Sequence, residues 1–276
     1  MWKQTWGEAL HQQQAAAVQA ADGPVLLLAV PGSGKTTVLI HRLGYLMDCR
    51  GIPPERILTV TYTVAATRDM RARFARTFGE DRANRLEFRT INGLSARIIQ
   101  YYERAMGRRA FQLVTDEGTL SSLVGELFRA CTGTFATEST IKGLRTAITY
   151  GKNRQMSREE MEALSTGELP VAQVYQAYCR VLRQRGWMDY DDQMVYAAQI
   201  LRRHGRFWPT FRKNTPISVW MRPRIPPAFS IPFSVCWREG GETSFWWGMR
   251  TRASMGFGRR NLGLCCGLSG ITPAGG

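Results

Sequence analysis

The sequence lacks a hydrophobic stretch long enough to span a membrane, because its longest apolar run is Val25–Val30. A membrane-spanning helix requires about 20 predominantly apolar residues. The N-terminal region also lacks the apolar core of a signal peptide, and three glutamines stand together at positions 12–14. We therefore expect a cytoplasmic protein with no membrane partner.

Cysteine is scarce, and its spacing follows no ligand pattern. The six cysteines are Cys49, Cys131, Cys179, Cys236, Cys265 and Cys266. Zinc sites and disulfide frameworks depend on regular spacings such as C-x-x-C, which this sequence does not contain. We expect reduced thiols in an intracellular protein, without a zinc site.

Acidic residues are also underrepresented: 22 Asp and Glu stand against 37 Lys and Arg, giving a formal net charge of +15. Such an excess favours a polyanionic partner, most simply nucleic acid. The alternative is a basic surface that serves only solubility, and charge alone does not decide between the two. The length of 276 residues allows one large domain or two ordinary ones.

The most informative segment is a glycine-rich turn between an apolar run and an amphipathic stretch. It reads Ala29-Val-Pro-Gly-Ser-Gly-Lys-Thr-Thr37 and follows Val25–Leu28. A strand, a glycine turn and a helix form the context of a phosphate-binding loop, although Ala29 replaces the usual first glycine. The predicted ATP-binding residues of this loop are Ala29, Pro31, Gly32, Ser33, Gly34, Lys35, Thr36 and Thr37.

Two loop residues are predicted to be catalytic. Lys35 would contact the β- and γ-phosphates, and the Thr36 hydroxyl would bind Mg²⁺. Gly32 and Gly34 would let backbone N–H groups point at phosphate oxygens. The alternative is a chance glycine-rich turn, which the flanking pattern disfavours.

Two further segments carry candidate binding residues. Gln14, upstream of the loop, has the amide donor and acceptor that adenine recognition requires, although an ordinary surface glutamine is the simpler reading of spacing alone. Thr61, Tyr62 and Thr63 end a predicted strand ahead of a basic helix. There Tyr62 could stack on a nucleobase. The alternative is a core strand followed by a solvated helix.

The order of these segments resembles the first half of the UvrD/Rep family of superfamily 1 DNA helicases. Leu10–Val18 resembles the adenine-reading Q motif, with Gln14 as its glutamine, and Ala29–Thr37 matches motif I. Thr61–Met70 resembles motif Ia (TFTNKAAxEM), with Val64 and Ala65 in place of Asn and Lys. Thr90–Ile98 resembles the TFHSLxARIL segment, with Asn92 and Gly93 in place of His and Ser.

The resemblance implies a fold, a reaction and partners. The fold is an incomplete α/β P-loop NTPase (RecA-like) parallel-sheet core with an inserted all-helical subdomain. The reaction is ATP-dependent 3′–5′ DNA unwinding with Mg²⁺, on single-stranded or duplex-junction DNA. The implied DNA-binding residues are Thr61, Tyr62, Thr63, Thr90 and Asn92.

The expected domains are a P-loop core at 1–104, a helical insertion at 105–190, a return to the core at 191–213 and an aberrant, disordered tail at 214–276. Trp187–Leu201 resembles the family segment MDFDDLL, where the chain returns to the core. Its acidic cluster, Asp189, Asp191 and Asp192, has two interpretations: a metal site, or helix capping and packing contacts. Capping is the favoured one.

The tail lacks what the family requires. Residues 214–276 contain no Asp, yet they hold half of the eight Trp and half of the twelve Pro. A family member should here reach a strand ending in Asp-Glu-x-Gln-Asp, whose first two acids hold Mg²⁺ and activate water. The stretch beginning at Trp220 shows neither helix nor strand periodicity and has too many prolines for a sheet.

The genetic code suggests a reason for the absence of these family motifs from the tail. The codons of Trp220-Met221, TGG and ATG, contain GAT for Asp in the frame starting at the third base, and Met221-Arg222 permits GAG for Glu. In the same frame Trp246–Arg260 permits Val-Gly-Asp-Glu-Asp-Gln-Ser-Ile-Tyr-Gly-Phe-Arg-Ala-Ala, which resembles motif III. We therefore predict a frameshift near Lys213–Asn214. The alternative is a genuine lineage-specific extension.

The sequence leaves two main functional readings. The first is the ATP-binding part of a helicase, impaired because the Mg²⁺-binding acids, motif III and the second motor domain are missing. The second is a non-catalytic nucleotide- or DNA-binding fragment. A small P-loop kinase is a weaker third reading, because nothing after residue 100 suggests a lid or an acceptor site.

Overall fold

The computed structural model describes residues 10–20, 25–28, 33–107, 109, 111–167, 169–203, 217–221 and 244–248. These residues form two compact units. The first contains the described residues up to Ile91 together with 217–221 and 244–248, and the second contains those from Asn92 to Arg203.

The described elements alternate between strands and helices in the first unit and are mostly helical in the second. In chain order they are α1 (Gln12–Gln19), β1 (Val25–Leu28), α2 (Lys35–Asp48), a 3-10 turn (Pro54–Arg56), β2 (Ile57–Thr61), α3 (Val64–Phe78), α4 (Glu80–Arg85), β3 (Glu87–Thr90), α5 (Ile91–Met106), β4 (Gln112–Leu113), α6 (Glu117–Thr132), α7 (Glu138–Arg154), α8 (Arg158–Glu162), α9 (Val171–Gln184), β5 (Trp187–Met188), α10 (Tyr190–Arg203), β6 (Ile217–Met221) and β7 (Ser244–Gly248).

The first unit contains a five-stranded sheet in the order β1-β7-β6-β2-β3. All four strand pairs are parallel, so the carboxyl ends of the strands meet at one edge. Every residue of β2 is buried, as expected for an interior parallel strand covered on both faces. This arrangement is compatible with the predicted incomplete α/β core.

The core of the first unit includes side chains of α2 and α3. Leu39 and Leu43 of α2 and Phe74 of α3 are fully buried in one cluster. Phe74 and Phe78 stack with ring centroids 5.0 Å apart. Gly44 lets the Phe78 ring pack directly against the backbone of α2, because a Cβ at position 44 would overlap that ring.

The second unit has its own helical core, in which Leu123, Leu144, Val174 and Leu182 are buried. Side-chain caps define its helix starts. Asp116 accepts a hydrogen bond from the Thr119 N–H at 2.8 Å and so caps α6. Ser157 and Glu160 form a reciprocal capping box ahead of α8.

Most predicted elements agree with the structure. The strand predicted before the glycine turn is β1, the strand predicted to end near Thr61 is β2, and the basic helix after it is α3. Within residues 105–190, the range of the expected helical insertion, the described residues form α6, α7, α8 and α9. The short parallel pair of β4 and β5 was not predicted, since two residues per strand leave no periodic pattern.

One prediction about the tail is wrong. Trp220 and Met221 belong to β6, and residues 244–248 form β7, so the segment from 214 onward does contain strands. The reason is local composition: Ile217 and Val219 favour β structure, and prolines occur before and after β6 rather than within it. The domain boundaries proposed for the chain stay predictions.

Candidate nucleotide and DNA site

The carboxyl edge of the sheet brings together the ends of the predicted motif segments. In the register of the sheet, Leu28 at the end of β1 lies opposite Gly248 of β7, and Met221 at the end of β6 lies opposite Trp247. Thr61 at the end of β2 lies opposite Thr90 at the end of β3. Ligands of open parallel sheets bind outside this edge. Strand β1, which precedes the glycine turn, and strands β2 and β3, which lead into the two segments with predicted DNA-binding residues, therefore end at the same edge of the sheet.

The end of the glycine turn forms the N-terminus of α2. Gly34 is the N-cap, with φ of 76° and ψ of 27°, a left-handed conformation that glycine adopts without strain. Lys35 is the first helical residue, followed by Thr36 and Thr37, and no acidic residue lies in the first turn. The N–H groups of a first helical turn bind anions. Ala29, Pro31 and Gly32 lie outside the described residues.

The described part of the turn fits a phosphate group. The Ser33 hydroxyl is buried and has no hydrogen-bond partner among the described residues. A buried hydroxyl without a partner is costly, and a phosphate oxygen at the adjacent helix N-terminus would satisfy it. The Ser33 hydroxyl and the N–H groups at the start of α2 therefore fit a phosphate group.

The fit to Mg²⁺ is incomplete. Thr36, the predicted metal ligand, lies in the first turn of α2, but none of the described strand ends carries a carboxylate. The strand that should end in Asp and Glu is β6, which ends in Trp220 and Met221. Mg²⁺ strongly prefers oxygen ligands, including carboxylates. The described residues thus offer a hydroxyl without its carboxylate partners.

Gln14 lies against the glycine turn. Its Nε2 donates a hydrogen bond to the Ser33 carbonyl oxygen at 3.0 Å, and its Oε1 accepts one from the His11 N–H at 3.1 Å. The predicted nucleotide-site glutamine therefore contacts the phosphate loop itself.

Arg42 is a buried residue that the motif pattern did not single out. Its Nη1 donates to the carbonyl oxygens of Ala17 at 3.0 Å and Val18 at 3.3 Å, and this links the end of α1 to α2. Burial lowers the pKa of Arg42 to about 10, partly offset by Tyr45. The only signal in the sequence is an arginine inside an otherwise apolar helix face.

The turn after β2 exposes one aromatic side chain. Tyr62 is 53% exposed, whereas Thr61 is 1% exposed and its hydroxyl donates to the Thr63 carbonyl at 3.1 Å. The Thr63 hydroxyl accepts from the Ala66 N–H at 3.1 Å and caps α3. The two threonines thus fix the turn that presents Tyr62. Burial does not support a direct DNA contact by the Thr61 side chain.

The remaining predicted DNA residues fall in different units. Thr90 ends β3 beside Thr61 in the first unit. Asn92 lies in the first turn of α5 in the second unit, and its Oδ1 is buried without a hydrogen-bond partner in the described part of the chain.

The acidic cluster of the second unit caps a helix. Asp189 Oδ1 accepts from the Asp192 N–H at 2.8 Å at the start of α10. Lys152 lies between both carboxylates, with Nζ 2.6 Å from Asp189 and 2.8 Å from Asp192. The Tyr178 hydroxyl adds a bond to Asp189 at 3.0 Å. The capping and packing interpretation is confirmed.

Charge explains the ionisation of this cluster. Burial alone would raise the pKa of Asp189, but the ammonium of Lys152 more than offsets it, so the pKa of Asp189 is lowered. Burial also opposes the charge of Lys152, yet Asp189 and Asp192 raise its pKa. The Lys152 side chain is only 3% exposed, and its ammonium stays charged.

Asp191 behaves differently, and its titration gives a testable pH dependence. It lines a cavity of about 90 Å³ and accepts hydrogen bonds from Thr149 and Asn153. Burial, followed by the charge of Asp189, raises its pKa from 3.8 to about 6 despite these bonds. Because the folded-state pKa is the higher one, this group favours folding below about pH 4 and loses that contribution as pH rises through about 6.

We expect Asp191→Asn to raise the free energy of unfolding by about 1–2 kcal/mol at pH 7.5, because it removes a buried charge. The gain should be markedly smaller at pH 4.5, where Asp191 is already protonated in the folded protein and only the ionisation of the unfolded chain still contributes. Urea unfolding of both proteins at the two pH values measures this. A gain that is the same at both pH values would contradict the assignment.

No helix among the described residues combines the length and apolar character that crossing a membrane requires.

A parallel sheet whose first strand leads to a glycine turn and a helix N-terminus defines a candidate phosphate-binding α/β unit, followed here by a helical unit. The model of the UvrD/REP helicase N-terminal domain family matches residues 10–217, which is more than half of the chain. The chain belongs to this family.

Similar curated proteins are consistent with this family match. A protein of Leuconostoc citreum named ATP-dependent DNA helicase PcrA is 32% identical over 197 residues, covering 70% of this chain and 26% of that protein. The protein of the same name in Staphylococcus epidermidis is 30% identical over 199 residues, covering 70% and 27%. The one in Staphylococcus aureus is 29% identical over 199 residues, with the same coverage. The chain spans about a quarter of the length of these relatives.

Proposed function

We propose that this chain is the ATP-binding N-terminal portion of an ATP-dependent 3′–5′ DNA helicase, built on a RecA-like P-loop core. The observation that carries the proposal is the left-handed Gly34 turn, which opens α2 at the carboxyl edge of a parallel sheet. Membership of the UvrD/REP family supports the reaction class.

The proposed roles follow from position. Backbone N–H groups at Gly34 and the first turn of α2 bind the phosphates, with the Ser33 hydroxyl as a further donor. Lys35 neutralises charge on the β- and γ-phosphates. Thr36 binds Mg²⁺ together with the Asp and Glu that the family places at the end of β6 and that a restored reading frame would supply. Ala29, Pro31, Gly32 and Thr37 complete the loop, and Gln14 supports it from α1.

DNA is the proposed partner. Tyr62 offers an exposed ring at the strand edge, on which a base of single-stranded DNA can stack. Thr61 and Thr63 hold that ring in place, and Thr90 and Asn92 are the further proposed contact positions. The net charge of +15 supports binding to a polyanion.

We further propose that hydrolysis is impaired because the reading frame shifts near Lys213–Asn214. The family match ends at residue 217, close to the proposed shift. At the end of β6 stand Trp220 and Met221 rather than Asp and Glu. An alternative is a non-catalytic nucleotide- or DNA-binding fragment, and DNA-stimulated ATP hydrolysis distinguishes the two.

Nucleotide binding tests the proposed site. We expect Lys35→Ala to weaken ATP binding by about 10- to 100-fold, because a charged hydrogen bond to phosphate is lost. Lys142→Ala, at an exposed position of α7, is the control and should bind like the parent. Titration with a fluorescent ATP analogue measures both. If the parent and Lys35→Ala bound the ATP analogue with equal affinity, the proposed site would be contradicted.

A further inference from the structure

The contact between Gln14 and the glycine turn fixes a backbone peptide rather than a ligand. Gln14 Nε2 donates to the carbonyl oxygen of Ser33 at 3.0 Å across 19 residues of sequence. The same amide is held in place through Oε1, which accepts from the His11 N–H at 3.1 Å. Both ends of the amide are therefore engaged by groups of the protein itself.

The peptide that Gln14 holds is the one whose N–H belongs to Gly34. In a trans peptide the C=O and the N–H point in opposite directions. With the Ser33 carbonyl directed at Gln14, the Gly34 N–H must point away from α1. Gly34 is the left-handed residue of the turn, and N–H groups in such turns form anion-binding nests.

The fit between the two residues is close. A Cβ on Gly34 would lie 2.6 Å from Gln14 Nε2, nearer than real Cβ contacts come. A side chain at this position would displace the Gln14 amide, and the φ of 76° is itself a conformation that favours glycine. The helix that carries Gln14 is in turn linked to α2 by Arg42, through the carbonyls of Ala17 and Val18.

We infer that Gln14 is a positioning residue that orients the Ser33–Gly34 peptide for phosphate binding, so its contribution does not depend on the base of the nucleotide. The inference rests on the proposed nucleotide site and adds to it. A purely adenine-reading glutamine would act on ATP alone, whereas a peptide-orienting glutamine acts on any ligand that carries the same phosphates.

Binding of three ligands separates the two roles. The full chain, Gln14→Ala and Gln13→Ala are titrated with ATP, GTP and inorganic tripolyphosphate. We expect Gln14→Ala to weaken all three by a similar factor of about 3 to 10, the effect of one lost hydrogen bond. Gln13 is exposed on the same helix and serves as the matched control. A loss confined to ATP would overturn the inference.

A ligand-free measurement keeps the inference testable even if the parent binds no nucleotide, a result that would count against the proposed function alone. We expect Gln14→Ala, but not Gln13→Ala, to shift the Gly34 amide resonance and speed its hydrogen exchange. Gln14→Glu retains the acceptor for the His11 N–H and replaces the donor to Ser33 with a carboxylate oxygen that repels the Ser33 carbonyl, so it should also shift the Gly34 amide even if the alanine variant folds poorly. An unchanged Gly34 amide in Gln14→Glu would refute the positioning role.

Discussion

ATP hydrolysis by this chain is expected to be about 10²- to 10⁴-fold slower than by a version in which the frame after Lys213 is restored. A carboxylate that positions and activates the attacking water contributes a factor of this size. In the present chain β6 ends in Trp220 and Met221, whose side chains can neither accept a proton nor bind Mg²⁺. Steady-state phosphate release with saturating single-stranded DNA measures both proteins.

Lys35→Ala in the frame-restored protein is the control for this comparison. It should abolish the recovered activity, because the recovered carboxylates still require the phosphate loop. Equal hydrolysis rates for the chain as it stands and for the frame-restored protein would contradict the proposed impairment.

The second large effect is expected at Lys152. Replacing it with methionine should lower the free energy of unfolding by about 3–5 kcal/mol, because Asp189 and Asp192 lose the buried charge that pairs with them. Far-UV circular dichroism during urea unfolding at pH 7.5 measures the loss.

Lys142→Met provides the matched control, since it removes the same charge from an exposed position of the same helix. Surface substitutions usually change stability by less than about 0.5 kcal/mol. If Lys152→Met lost no more than this control, the ion-pair cluster would not be the stabilising feature that its burial indicates.

Sequence patterns predicted the strand, glycine turn and helix around Gly34 because each element has a local signal. Apolar residues indicated β1, the glycines indicated the turn, and helical spacing of apolar residues indicated α2. The start of α6 carries a similarly local signal, because Asp116 is a strong N-cap residue.

Other features depend on contacts that no local pattern encodes. Nothing in the sequence shows that the Gln14 amide meets the Ser33 carbonyl, because that bond joins residues far apart along the chain. Lys152 looked like any helical lysine, and only the packing of α7 against α10 explains its burial. The two strands of the tail were missed since the frequent prolines outweighed two short runs of β-forming residues.

The nucleotide sequence of the gene across codons 205–225, continued past codon 276, tests the central claim most directly. The claim is that a UvrD/REP helicase segment loses its frame near Lys213–Asn214. It predicts that the frame starting at the third base encodes Asp-Glu-Ala-Gln-Asp from codon 220 and runs on into helicase sequence. A stop codon soon after that point, or codons without the Glu, would contradict the claim and leave the tail as a genuine part of this protein.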